Sequence, residues 1–399
     1  MEKELKNIPE LRFPEFIKLG DWEKTKIESI ISQESSTMAM NKLELLKEGF
    51  PVYGADGLIG YINDFQQEEE YISMVKDGSG VGKLNLCQEH SSILGTLTAL
   101  KSKDSKRYFL KWIYYLLNTL DFSSYVKGAG IPHIYYSDIK HKCIYIPSFS
   151  EQEKIADCLS SLDDYINATQ EKIEILQAHK KGLMQQLLPA LGKIMPQKRL
   201  PKFGKSKKWS PYSMEEMFKI RNGYTPSKSN PKFWENGTIP WFRMEDIREH
   251  GHILSDSIQH ITKEAVKGKG LFPANSIIVA TTATIGEHAL IIVDSLANQQ
   301  FTFLTKRKSF DTQINMKYFY YYMYIIDEWC KQHTNAGGFA SVDMNGFKRL
   351  SVSLPSPEEQ KEITECFTSI DDLIDSTKQK LVMLQNHKRG LMQQLFPII

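Results

Sequence analysis

The sequence predicts a mixed α/β chain: two globular α/β domains separated by two long helices that pair as an antiparallel coiled coil, the whole forming a pseudo-twofold internal repeat. Three observations carry this. A 43-residue segment occurs twice, both copies hold a long heptad pattern, and the stretches around them show short apolar runs broken by Gly and Asp, the mark of strands and turns.

The repeat comes first. Residues Pro147 to Pro189 align without a gap with Pro355 to Pro397 at a constant offset of 208, and 23 of the 43 positions are identical. Each copy opens on Pro-Ser and acidic residues, a helix-start signature, and then runs without Pro or Gly until Gly182 or Gly390. Apolar residues fall at Ile155, Leu159, Leu162, Ile166, Ile173, Leu176, Leu183 and Leu187, in steps of four and three wherever the pattern is filled. The second copy repeats them as Ile363, Phe367, Ile370, Ile374, Leu381, Leu384, Leu391 and Leu395. This is a heptad seam. Polar residues interrupt it at matching places, Thr169 with Thr377 and Lys180 with Lys388, as residues that set register do. Each helix would extend on the order of 50 Å if continuous. Two copies in one chain allow it to close on itself with the helices antiparallel. The alternative, each helix packing only on its own domain, leaves a seam too long for one small domain to bury.

The duplication extends further, more faintly. Arg12-Phe13-Pro14-Glu15-Phe16 recurs as Arg199-Leu200-Pro201-Lys202-Phe203, each soon followed by a tryptophan, Trp22 or Trp209. Met74 to Leu100 aligns with Ile278 to Leu304, Tyr108-Phe109 with Tyr318-Phe319, and Gly130 with Gly338. Strands are expected at Pro51 to Tyr53, Ile59 to Ile62, Tyr71 to Val75 and Ile93 to Leu100, and in the second half at Ile239 to Phe242, Ser276 to Thr281, Ala289 to Val293 and Phe301 to Leu304. An aromatic helix follows in each half, over Lys106 to Leu117 and Met316 to Trp329. The expected domains are residues 1–146, the central helix 147–192, the second domain 193–354 and the C-terminal helix 355–399.

Composition narrows the function classes. The formal net charge of +2 conceals a division: the helix regions carry −3 and −2, which leaves +7 for the rest. Lys and Arg interleaved with Tyr and Asn, as in Arg221-Asn222-Gly223-Tyr224-Thr225-Pro226, suit phosphate and base-edge contacts. Five scattered cysteines with no Cys-x-x-Cys pair argue against disulfides or zinc and fit a reducing compartment, so a cytoplasmic location is expected. No signal peptide and no run of 18 apolar residues occurs. The Gly-rich stretch Asp77 to Lys83 departs from a phosphate loop in glycine spacing and ends on Leu84 instead of Ser or Thr, so a turn between strands is the better reading. Neither a metal site, a dinucleotide fingerprint nor a catalytic constellation stands out.

With these features in place, the chain resembles the specificity subunit of type I restriction-modification systems. The resemblance rests on Pro147, Glu151, Gln152 and Ile155, repeated as Pro355, Glu359, Gln360 and Ile363; on the leader Leu11 to Phe16 with Trp22; and on Gly223 to Ser227, Trp234 to Gly237, Ile239 to Trp241, Thr284 to Gly286 and Asn298 to Gln300. It implies two target recognition domains that read the two halves of an asymmetric bipartite double-stranded DNA site, with the coiled coil fixing the spacer. The first domain lacks the Thr-Pro-Ser and Trp-Glu-Asn-Gly elements, so the two halves are expected to read different sequences.

The DNA-facing candidates are Tyr53, Lys76, Ser79, Lys83, Lys127 and His133 in the first domain. In the second they are Arg221, Asn222, Tyr224, Thr225, Ser227, Lys228, Trp241, Arg243, Thr282, Thr284, Gln299, Gln300 and Ser341. The coiled-coil and subunit-docking candidates are Glu151, Gln152, Ile155, Leu162, Ile166, Ile173, Leu176 and His179, with Glu359, Gln360, Ile363, Ile370, Ile374, Leu381, Leu384 and His387. The resemblance also implies no cofactor on this chain: two modification (methyltransferase) subunits would use S-adenosylmethionine, and restriction (helicase-nuclease) subunits ATP and Mg2+. The alternatives are a self-contained DNA methyltransferase, for which neither catalytic nor cofactor loop is found, and a non-enzymatic regulator of a bipartite site.

Overall fold

The structure, a computed structural model, describes residues 8–397 except 129, 206, 269 and 336–339. The expected Gly338 counterpart of Gly130 therefore lies outside the described residues. Two compact units emerge, one of residues 1–171 and 378–399, the other of residues 172–377.

The first unit contains, in chain order, β1 (Glu23–Lys26), α1 (Ile27–Ile30), β2 (Ile31–Ser35), β3 (Phe50–Gly54), β4 (Gly57–Ile62), β5 (Tyr71–Val75), β6 (Leu84–Cys87), β7 (Ser92–Ile93), β8 (Leu97–Ser102), α2 (Leu110–Thr119), α3 (Tyr136–Ile139), β9 (Cys143–Ile146) and the start of α4 (Phe149–Leu187). The second contains the end of α4, then β10 (Ser210–Ser213), α5 (Met214–Met217), β11 (Phe218–Asn222), β12 (Ile239–Phe242), α6 (Met244–His250), β13 (Ile253–Leu254), β14 (His260–Ile261), β15 (Ser276–Ala280), β16 (His288–Ile291), β17 (Leu296–Ala297), β18 (Phe301–Lys306), α7 (Met316–Gln332), β19 (Thr334–Asn335), β20 (Ser341–Val342), α8 (Met344–Arg349), β21 (Ser351–Leu354) and the start of α9 (Pro357–Leu395). The last turns of α9 belong to the first unit.

The halves share one topology. A main sheet runs β2-β8-β5-β6 in the first and β11-β18-β15-β16-β13 in the second, and a small sheet pairs β4-β3-β7 and β14-β12-β17. β5 and β15 are wholly buried, so both read as mainly apolar runs, each with one buried serine, rather than as alternating ones. A two-stranded ladder, β1 with β9 and β10 with β21, brings the end of each globular half back to its start. The aromatic helices α2 and α7 contribute Trp112, Ile113 and Leu116, and Tyr318, Phe319 and Tyr322, to their cores.

All ten heptad positions of each long helix are buried or half-buried, including Thr169, Lys180, Thr377 and Lys388. In the first unit Ile155 and Leu159 near the start of α4 share a core with Leu391 and Leu395 near the end of α9. In the second, Met184 and Leu187 of α4 join Ile363 and Phe367 of α9. Both pairings are antiparallel. The polar seam positions are fully engaged: Thr169 and Thr377 donate to the carbonyls of Tyr165 and Leu373. Lys180 bridges Asp371 at 2.6 Å, with the Tyr321 hydroxyl donating to the same carboxylate at 2.8 Å. Its duplicate joins Lys388 to Asp163 at 2.5 Å, with the Tyr115 hydroxyl at 2.7 Å. Each of these half-buried lysines meets its carboxylate in only one alignment, which favours one register, because sliding either helix would separate the pair.

Glu151, Gln152, Glu359 and Gln360, expected among the docking and coiled-coil residues, are corrected by the structure. All four are at most 1% exposed and their polar atoms are spent inside the chain. Arg12 grips Glu151 with two hydrogen bonds of 2.7 and 2.8 Å, and Arg199 grips Glu359 with two of 2.8 and 2.5 Å. Each carboxylate raises the pKa of its guanidinium through these bonds. Gln152 accepts from the Phe109 amide and donates to the carbonyls of Arg107 and Pro147. Gln360 does the same with Asn315, Gln313 and Pro355. Glu therefore tethers the leader and Gln caps the approach to the aromatic helix, a structural duty that explains why both copies keep them.

Candidate nucleic-acid interface

In the second unit, Gly223 allows the candidate surface to form. A Cβ there would lie 2.3 Å from the Ala297 carbonyl oxygen and 2.5 Å from that of Asn298, so only glycine lets the chain leaving β11 pass against the turn between β17 and β18. Beside this crossing, Thr225, Lys228, Trp241, Arg243, Thr284, Gln299 and Gln300 line one open groove of about 460 Å³. Met244, Glu245, Arg248, Ala283 and Asn298 complete the lining.

Each wall is held from behind. Asp246, fully buried, accepts from the Arg243 and Ile258 amides at 2.6 Å each, which starts α6 and aims Arg243 and Arg248. Trp241 is 2% exposed and its indole N–H donates to the Tyr224 carbonyl, so it supports the floor. The Arg243 guanidinium lies 5.9 Å from the Trp241 ring centre, and its buried Nε has no hydrogen-bond partner. On the facing wall, the Asn298 Oδ1 accepts the Gln300 amide, Asn298 Nδ2 donates to Gln300 Oε1, and Thr225 donates to Gln299 Oε1. Ala283 holds a positive φ of 62°, a conformation rare for a residue with a side chain.

Other candidates of this unit lie outside that lining. Arg221 stacks on Phe272 at 4.2 Å, Asn222 accepts from the Thr302 hydroxyl, and Ser227 shares a hydrogen bond with Ser229. The Tyr224 hydroxyl donates to Ala265 and accepts from the Lys267 amide, pinning the loop that follows β14. Thr282 and Ser341 face each other across an isolated antiparallel bridge.

The first unit brings five of its six candidates together. The turn from β5 to β6 carries Lys76, Ser79 and Lys83, and Asp77 on it pairs with His133, which also pairs with Lys127. This matches the Thr282–Ser341 bridge of the other half, since His133 and Ser341 are counterparts at the offset of 208. The Asp77 to Lys83 segment is thus the β5–β6 turn, anchored by the Gly78 amide on the Pro132 carbonyl. Lys127 bridges Asp138, whose carboxyl it holds below the usual range, and Lys83 bridges Asp56 on the turn between β3 and β4. Tyr53 is half-buried on β3 with its pKa raised by burial.

Of the docking candidates, His179 and His387 are exposed, while Leu162, Ile166, Ile173, Leu176, Ile370, Ile374, Leu381 and Leu384 lie in the seam. Sequence reasoning omitted Arg248 and the orienting role of Asn298. The signal for the first was the acid three residues after Arg243, a helix-start pattern. Among the described residues, no group of three or more His, Cys, Asp or Glu is placed to hold a metal, and no helix is long and apolar enough to cross a membrane.

Comparison with known proteins follows this geometry. The family model for the type I restriction modification DNA specificity domain matches residues 20–177 and again 206–386. The specificity subunit of the type I restriction enzyme EcoprrI of Escherichia coli is 48% identical over 42% of this chain, an alignment that spans only 41% of that relative. That of EcoR124I/EcoR124II of Escherichia coli is 30% identical over 70% of this chain and 68% of its own. The MjaVIII specificity subunit of Methanocaldococcus jannaschii is 24% identical over 99% of this chain and 95% of its own. Among solved structures, a type I system S subunit from M. genitalium matches the fold with a TM-score of 0.61 at 17% identity, covering 98% of this chain and all of the other. Two family-model matches, one on each copy of the duplicated topology, place this chain in the type I restriction-modification DNA specificity family.

Proposed function

We propose that the chain is a DNA-specificity subunit that reads an asymmetric bipartite site, one half-site per globular domain, and contributes no chemistry of its own. The observation that carries this reading is duplication with divergence. Two domains share a strand order, to which the second adds β13 at one edge, and a leader and helix, while their candidate DNA-facing residues differ: a glycine-rich β5–β6 turn in one, a groove with two glutamines and two arginines in the other. One scaffold with two different reading surfaces suits two different half-sites.

The basic balance of the globular halves favours the DNA backbone, and the acidic helices leave exposed faces, including His179 and His387, for protein partners. Those partners would be two modification subunits using S-adenosylmethionine, joined by restriction subunits using ATP and Mg2+. Flipping and methylation of the target base would fall to the modification subunits.

In this reading α4 and α9, each an unbroken run of 39 residues, set the spacer between half-sites. Inserting one heptad into both helices lengthens the coil by about 10 Å, or roughly three base pairs. Methylation mapping by long-read sequencing should then show unchanged half-sites about three base pairs further apart. Changed half-sites with the original spacer would contradict the proposal.

A further inference from the structure

The groove of the second domain carries both donors and acceptors, Glu245 among the latter, but the orientation of its central amide follows from covalent chemistry. The backbone N–H of Gln300 can only donate, and it donates to the Asn298 side chain at 3.1 Å. The receiving atom must be the Asn298 carbonyl oxygen, so the other arm of Asn298 is its amino group. That amino group lies 3.2 Å from the Gln300 side chain, which must accept with its own carbonyl oxygen. Gln300 therefore turns its NH2 toward the groove, and among the described residues this group has no partner. Arg243, whose guanidinium also lies 3.8 Å from the Glu245 carboxylate, and Arg248 add cationic donors to the same lining.

Resting on the proposed function, we infer that Gln300 and Arg243 read a guanine in the second half-site, and that Asn298 is the positioning residue that commits Gln300 to donate. Guanine shows two acceptors, N7 and O6, on its major-groove edge, and a pair of donors in one groove suits it. The familiar pairing of glutamine with adenine needs the amide oxygen and nitrogen together. Here the oxygen is occupied by Asn298, so that pairing is unavailable. The first domain has no such device: the aligned segment is Leu94-Gly95-Thr96, without an amide or a charge.

Substitutions separate the possibilities. Gln300→Glu keeps an oxygen for Asn298 and replaces the outward NH2 with an acceptor. Asn298→Asp still accepts the Gln300 amide but now demands a donor, which turns the Gln300 NH2 inward and its oxygen outward. Both retain the size of the native side chain, and thermal melting checks that they fold.

The test is competition binding by the full chain in complex with its modification subunits. The probes are duplexes of its mapped site carrying each of the four bases at every position of the second half-site. The wild type should require guanine at one position or more. Gln300→Glu should lose about 5- to 150-fold of the preference for that guanine, leaving the first half-site untouched. Asn298→Asp should shift preference at the same position toward a base that presents an amino group, cytosine or adenine. Uniform weakening across all sequences would mean a phosphate contact and overturn the inference. Unchanged discrimination, or a loss confined to an adenine position, would overturn it as well. A wild-type complex with no sequence preference would instead refute the proposed function, so the two failures are distinguishable.

Discussion

Replacing Arg199 by Met removes the guanidinium from Glu359 while keeping much of the apolar stem. The Glu359 side chain is 1% exposed and loses two charge-assisted hydrogen bonds, keeping the Trp209 indole N–H at 3.2 Å. A buried carboxylate left without its cation costs about 3–5 kcal/mol. For a unit of this size that lowers the melting temperature by roughly 6–20 °C. The equivalent Arg12→Met should cost at least as much, because Trp22 Nε1 has no hydrogen-bond partner and gives Glu151 no comparable support. Urea unfolding of each variant, followed by tryptophan fluorescence, measures both. The double variant Arg199→Met, Glu359→Leu should recover much of the loss, since no buried charge remains. Losses under about 1 kcal/mol for both single variants would refute the idea that these ion pairs tie the leaders to the helices.

Other consequences are equally concrete. Gly223→Ala places a methyl against the Ala297 and Asn298 carbonyls and should destabilise the second unit by about 1–3 kcal/mol, read as a lower urea midpoint, and disturb discrimination at the second half-site alone. Asp371→Leu leaves the half-buried Lys180 without its carboxylate and removes one partner of the Tyr321 hydroxyl, a loss of about 1–3 kcal/mol in urea unfolding, and Asp163→Leu should behave alike in the first unit. Burial raises the pKa of Tyr318, Tyr320, Tyr321, Tyr322 and Tyr324 on α7. Their contribution to stability is therefore complete below about pH 10, the ordinary tyrosine value, and is lost as pH rises from there toward the folded values. Absorbance of tyrosinate should show them ionising together with alkaline unfolding, and independent titration near pH 10 in the folded protein would contradict their burial.

The long helices were legible in the sequence because a heptad seam is a local, periodic signal, and duplication wrote it twice. Strands such as Tyr71–Val75 and Ile239–Phe242 were legible for the same reason, as apolar runs bounded by turn residues. What escaped was set by distant contacts. The run from Ile93 to Leu100 reads as one strand, yet it splits into β7 and β8 because Gly95 packs against the backbone of Ser36 and Met38, with its amide on the Met38 carbonyl. The first aromatic helix begins at Leu110 instead of Lys106, because Asp104 turns the preceding residues and Gln152, from α4, takes the Phe109 amide. Glu151 and Gln152 were read as coiled-coil and subunit-docking residues, and only the structure shows the arginine and the amide that engage them. Candidate groove residues were nominated by chemistry, but that Asn298 dictates which end of Gln300 faces outward depends on a hydrogen-bond chain that no residue pattern displays.

The most direct measurement is methylation mapping of DNA from cells expressing the unaltered chain with its modification subunits. The account predicts one asymmetric motif of two different half-sites separated by a fixed unread spacer, with guanine required in the half-site assigned to the second domain. A continuous or palindromic motif, or methylation without sequence preference, would contradict it.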